Sequence, residues 1–332
     1  MKIIRLIFFL LASGLPGCTQ QKKLKPVSSK QPLLTGMTSQ KEQRAAHSES
    51  HRGINEGVSN MKNFSKIVFG ANSFGLSLYK EISKQEPANK NLVYSPSSVW
   101  IVMSMLKAGV KGETQKQLDA VIHSNSDDSS FFTSCGELLG QIAHVPANSS
   151  LSILQANGVF RQTGYPMDPK FLETLKKHFG VVPFDVNFKK NPDKARSTID
   201  DWVNARTEGK IQKLLGNAEL RRDLYLFLVN VVRLKDVWSQ RFTNLLDALD
   251  FYGFENVKKV RMINNVGEHA YADLGDFRAA GINTRSGIID MIILLPSKKD
   301  GINALEKKLD SDLLNKTLDH LKSRSVVLSE QG

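Results

Sequence analysis

Residues 91–114 read NLVYSPSSVWIVMSMLKAGVKGET. The stretch starts extended at Val93-Tyr94, turns through Ser95-Pro96 and runs into a helix that is apolar almost all round. Ser95 is a suitable N-cap and Pro96 a suitable first helical residue, because proline has no N–H to leave unsatisfied there. The helix runs through Leu106 and stops at Ala108-Gly109. A helix with so little polar surface is expected to lie inside a large domain, not on its surface.

Working outward, Phe64, Ile67, Val68, Ala71, Phe74, Leu78 and Ile82 recur at intervals of three and four and predict an amphipathic helix. Short helices are expected at Glu113–Ile122 and Asp127–Ile142, then a strand at Leu151–Phe160. Asp168–His178 reads as a helix capped by Asp168, Val181–Phe188 as a strand and Pro192–Arg206 as a helix. Leu224–Leu234 (LYLFLVNVVRL) is a continuous apolar run, which predicts a central strand covered on both faces. Two strands are expected between Phe251 and Ala280 and another at Ile288–Leu295. Helices at Ile302–Leu309 and Ser311–Leu321 follow, then the start of a strand at Ser325. Helices come first and strands later, without regular alternation. That order predicts an α+β fold, not a doubly wound sheet.

The 332 residues are enough for a substantial core. The net charge of +12 is not a nucleic-acid signal, because half of it lies in residues 1–60, which carry nine Lys/Arg against three Glu. In the remainder the basic clusters Lys176-Lys177, Lys189-Lys190, Arg221-Arg222, Lys258-Lys259 and Lys298-Lys299 are scattered. They read as solvated surface, and no nucleic-acid partner is expected. Lys2 and Arg5 precede an apolar run, Leu6–Ala12, followed by Ser13-Gly14 and Gly17. Residues 1–18 thus have the layout of a secretory signal peptide, with a run too short to span a bilayer. Leu15-Pro16-Gly17-Cys18 is similar to a lipoprotein signal and leaves two readings open: lipidation of Cys18, or cleavage nearby with Cys18 incidental. Residues 19–60 are polar and predict a disordered tether, ahead of a domain from residue 61 to 332. The expected location is extracellular, with a membrane contact only through a lipid on Cys18. Cys135 is the only other cysteine, which excludes a disulfide framework.

No catalytic motif is present: there is no G-x-S-x-G, H-E-x-x-H, C-x-x-C or phosphate loop. His269 and Asp273 share a strand face, but a solvated face is the simpler reading, so neither a metal nor a cofactor is expected.

Five blocks together carry a family resemblance. The first is Asn91, Tyr94, Ser95, Pro96, Ser98 and Val99, with Met105, Leu106, Gly109, Gly112 and Thr114. The second is Ala156-Asn157-Gly158-Val159-Phe160. The third is Trp202-Val203 with Thr207–Ile211. The fourth is Leu228-Val229-Asn230 with Lys235, Trp238 and Phe242, and the fifth is Met291–Pro296. In this order the chain resembles the serpins from about Phe64 to Leu328. The resemblance implies an α+β fold with a large central mixed sheet, further sheets and about eight or nine helices. It implies a serine-type endopeptidase inhibitor that traps its target protease when a cleaved reactive loop inserts into the central sheet. It assigns Ser95, Ser98 and Asn230 to the shutter beneath that sheet and Trp238 to the breach where the loop enters. Read from the residues alone, Ser95 merely caps a helix and Trp238 is a core aromatic.

Three departures qualify the resemblance. Asp236 stands where the family usually has glycine, so a backbone reaching positive φ is expected there. Residues 280–287 replace a family strand-and-turn. The printed sequence stops at Gly332, before the family's hinge and reactive loop, so a C-terminally truncated, inactive form is expected. The alternative is a non-inhibitory secreted binding or scaffold protein, or a decayed fragment. Some serpins bind heparin through the helix that matches Asp127–Ile142; here it carries Asp127, Asp128 and Glu137 and no Lys or Arg, so no heparin site is expected on it.

Overall fold

The computed structural model describes residues 59–85, 91–124, 127–145, 149–252 and 257–331. The expected signal peptide, Cys18 and the tether through residue 58 lie outside these residues. Helix α1 spans Ser59–Gln85. Helix α2 spans Pro96–Lys107, with the Ser95 side chain accepting from the Ser98 amide at its N-terminus. Then come α3 (Gly112–Ile122) and α4 (Asp128–Ala143). The Asp127 carboxylate caps α4, accepting the Ser130 amide at 3.0 Å. Strand β1 covers Ser152–Gln162 and α5 covers Pro169–Phe179, with Asp168 as its cap, as the sequence predicts. Strand β2 is only Phe184–Val186, shorter than the Val181–Phe188 expected. The shortening has a cause: Asn187 turns back to accept the Lys190 amide, and Phe188 is drawn into the core. Helix α6 is Pro192–Arg206, the range read from the sequence.

Strand β3, Leu226–Lys235, pairs antiparallel with β1, and β1 pairs parallel with β2. The result is a mixed sheet in the order β2-β1-β3. Alternation along β1 sorts its side chains to two cores. Val159 points toward α2, α4 and α5, where Trp100, Met105, Phe131, Cys135, Leu175 and Phe179 are buried. Phe160 points the other way, toward α6, among Phe188, Ile199, Trp202, Val203, Val229 and Val231. The expected double burial of β3 holds only in part, since Val232 and Leu234 are each 37% exposed. Among the described residues β3 is bonded along one edge only, and neither Val232 nor Leu234, on the face that packs toward α2, joins the core of the helical layer.

The second sheet joins β4 (Thr243–Tyr252), β5 (Val257–Asp273), β6 (Phe277–Asn283) and β7 (Asp290–Pro296) in sequence order. After α7 (Ile302–Lys308) and α8 (Ser311–His320), strand β8 (Lys322–Gln331) returns to pair antiparallel with β5. Eight helices and two sheets are thus present among the described residues. None of these helices is long and apolar enough to cross a membrane.

One charge lies inside the helical layer. Lys107 has a side chain only 1% exposed, and its Nζ reaches Asp119 and Asp128 at 2.6 Å each, above the Phe131 ring. Both carboxylates come from the rim of the layer, so the ammonium is paired without drawing two buried anions inside.

Candidate functional site

The residues expected to gate the mixed sheet fall into two groups. Ser95 and Ser98 stay together at the start of α2. The Ser95 hydroxyl donates to Ser98 Oγ at 2.9 Å while accepting the Ser98 amide at 3.4 Å, and Ser97 Oγ lies 3.3 Å away. Asn230 does not join them. Its side chain lies on the face of β3 that packs toward α2, the face of Leu226 and Leu228, and its Nδ2 donates to Asn157 Oδ1 at 2.7 Å. Asn157 sits directly opposite on β1 and donates in turn to the Phe179 carbonyl at 3.4 Å.

Asn157 was not among the expected site residues. A signal was available, because antiparallel pairing of Ala156–Phe160 with Leu228–Asn230 in register places the two amides opposite each other. The pair forms a polar rung in an apolar interface, and the Asn230 Oδ1 is buried without a hydrogen-bond partner. A buried acceptor left open is costly, which sets this rung apart from the apolar contacts around it.

At the C-terminal end of β3 the chain crosses to the second sheet. Val237 O accepts the Arg285 amide at 2.8 Å, and the Ser239 amide donates to Asn283 O at 3.0 Å. Trp238 bridges to Thr284, and its ring packs edge-on against Phe242 at 6.1 Å. It is half-buried, at a junction rather than in the centre of a core.

Asp236 corrects one expectation. Its backbone is not in the left-handed region, which among non-glycine described residues only His123 and Glu208 adopt. The position uses the carboxylate instead. Asp236 Oδ1 accepts the Ser150 hydroxyl at 2.7 Å and the Val237 amide at 2.8 Å. Desolvation pushes this carboxyl up. The hydroxyls of Ser150, Ser286 and Thr284 and the Val237 amide outweigh that and hold its pKa down to about 2.

A group whose folded pKa lies below its unfolded value of about 3.9 stabilises the fold fully above about pH 4 and loses that effect as pH falls to about 2. Asp236→Asn is therefore expected to lower the urea midpoint at pH 5 but to match the parent near pH 2. An equal gap at both pH values would count against this assignment.

His269 Nε2 pairs with Asn265 at 3.1 Å, and Asp273 accepts the Gly275 amide at 2.9 Å.

Comparison with known proteins agrees with this architecture. The family model described as serpin (serine protease inhibitor) matches residues 70–329. Serpin B12 of Homo sapiens is 26% identical over 298 residues, covering 79% of this chain and 73% of that protein. Leukocyte elastase inhibitor A of Rattus norvegicus is 29% identical over 259 residues, covering 76% of this chain and 66% of that protein. Among solved structures, emu ovalbumin (Dromaius novaehollandiae) superposes with a TM-score of 0.74 at 22% identity, over 80% of this chain and 73% of that one. Lamprey angiotensinogen with its reaction loop cleaved gives 0.72 at 20% identity, over 81% and 79%. With five ordered sequence blocks, the mixed sheet between two helical layers and a family match over residues 70–329 all in agreement, the chain belongs to the serpin family of serine protease inhibitors.

Proposed function

We propose that this protein is a serine-type endopeptidase inhibitor scaffold exported from the cytosol, and that residues 1–332 alone do not trap a protease. The observation that carries the reading is the position of β3. It is bonded on one edge only among the described residues, with the Asn157–Asn230 rung along it and the Asp236–Trp238 junction at its end. A strand added beside β3 would meet both features. Ser95 and Ser98 then act through the start of α2, Asn230 through the rung and Trp238 at the point of strand entry.

The test is to incubate the 332-residue chain with chymotrypsin-like and subtilisin-like proteases and run the mixtures on denaturing gels. No covalent complex is expected, and an SDS-stable adduct would refute the second half of the proposal. Reading the nucleotide sequence downstream of the Gly332 codon tests the first half. An adjoining frame encoding a small-residue hinge supports an inhibitor.

One observation favours a second reading, a non-inhibitory scaffold. The backbone of Val237 and Ser239, just past the end of β3, is bonded to Arg285 and Asn283, which opposes entry of a strand beside β3 at that end. No downstream frame, together with an unchanged melting temperature on adding hinge-like peptides, would support that reading.

Export rests on the leader, with residues 1–18 as signal and 19–60 as tether. Palmitate labelling that disappears in Cys18→Ser supports lipid anchoring. Unlabelled protein cleaved elsewhere refutes it.

A further inference from the structure

Two basic clusters that look scattered in the sequence meet in the fold. Lys189-Lys190 follows β2, and Arg221-Arg222 precedes β3. Arg222 Nη1 donates to the Lys189 carbonyl at 3.2 Å across a separation of 33 residues. Two exposed tyrosines lie with them. Tyr225 and Tyr165 have ring centroids 4.8 Å apart and are 45% and 42% exposed, and Lys189 Nζ sits 4.7 Å from the Tyr225 ring centroid.

The assembly is anchored from beneath. Gln162, 7% exposed, accepts the Lys189 amide at 3.1 Å through its side chain, and its own backbone amide donates to the Tyr225 carbonyl at 2.9 Å. Arg196 Nη1 fixes the adjoining segment through the Ala218 carbonyl at 3.3 Å.

The charges here do not cancel. Asp185, Asp193 and Asp223 are each engaged by an arginine, namely Arg161, Arg196 and Arg221. Lys189, Lys190, Lys194 and Arg222 form no ion pair among the described residues, and Glu219 is the remaining acid of these segments.

We propose that this surface docks an acidic segment of a partner protein, a run of Asp and Glu that carries an apolar or aromatic side chain. The cations match the carboxylates, and the tyrosine pair supplies a rigid amphipathic contact of the kind enriched at protein interfaces. Single-stranded nucleic acid fits less well. The two rings are tilted at 44° to each other and Lys189 sits over Tyr225, so they do not offer parallel platforms for successive bases. A sulfated polysaccharide would use the cations but gain little from the exposed rings.

The test uses the 332-residue chain and a fluorescein-labelled peptide of roughly 12 residues, Asp and Glu around one Phe, followed by anisotropy. Binding is expected, and it should weaken as salt rises through the Debye range. Lys189→Glu/Lys190→Glu should weaken it about tenfold, and Arg222→Glu similarly. Tyr165→Ser/Tyr225→Ser should weaken it about threefold. Should that double variant melt early, Tyr165→Ser alone serves, since the half-exposed Tyr165 ring packs on Tyr225. Lys298→Glu/Lys299→Glu makes the same charge change elsewhere and should have little effect. Equal losses at Lys298/Lys299 would reduce the effect to net charge and overturn the proposal. So would no peptide binding by the parent chain, or tighter binding of heparin or an oligonucleotide that the tyrosine variants leave unchanged.

Discussion

Trp202→Ala is expected to destabilise the protein by about 3–5 kcal/mol, the usual range for removing a fully buried tryptophan. The Trp202 side chain is 0% exposed between α6 and the mixed sheet. It stands at 90° to Phe160 with centroids 5.9 Å apart, and the Arg206 guanidinium lies 5.7 Å from its ring. The surrounding helix and sheet are held by separate contacts and cannot close the hole fully, so a cavity cost adds to the lost burial. Urea unfolding followed by far-ultraviolet circular dichroism reads the change without depending on the deleted fluorophore. Trp202→Phe should cost much less. The indole N–H of Trp202 is buried without a hydrogen-bond partner, and phenylalanine removes that orphan donor along with some area. If Trp202→Ala shifted stability by under about 1 kcal/mol, the described packing of α6 on β1 would be wrong.

Gly158→Val is expected to cost about 3 kcal/mol, by overpacking the same place. A Cβ at Gly158 would lie 2.9 Å from Val229 Cγ1, 3.1 Å from Trp202 Cη2 and 3.2 Å from Phe160 Cε2. Two of these three neighbours are rings in a filled core, so little can give. Here the glycine is required by close approach between β1, β3 and α6, not by a special backbone angle. The two substitutions are expected to couple. In the Trp202→Ala background the valine enters part of the space left by the indole, and its cost should fall by about 1 kcal/mol or more. Simple additivity of the two would contradict the contact.

Elements with strong local signals were legible from the chain itself. Helix α6 begins at a proline and ends where predicted, and Asp127 and Asp168 each cap the helix they precede. Strand β4 was missed because its pairing with β5 shifts register between Thr243 and Leu245 and again between Leu246 and Leu249. Those irregularities erase the alternation by which a strand is read. The residues assigned to the shutter and breach could be named only through family resemblance. Ser95 announced itself as a cap, whereas the partner of Asn230 depended on the register of two strands 73 residues apart. Asp236 was misread for a related reason. A residue in a glycine position suggests backbone freedom, but here its value lies in a carboxylate aimed at a loop far away in sequence.

The burial of Cys135 has a practical consequence. Its side chain is 1% exposed in the helical layer, and burial pushes its thiol pKa well above the ordinary range. In a Cys18→Ser chain it would be the sole sulfhydryl. A thiol reagent added in excess could then react only when α4 parts from α2 and α5, because the thiolate needs solvent access. The labelling rate would become an intrinsic clock for transient opening of that layer, read without any introduced fluorophore.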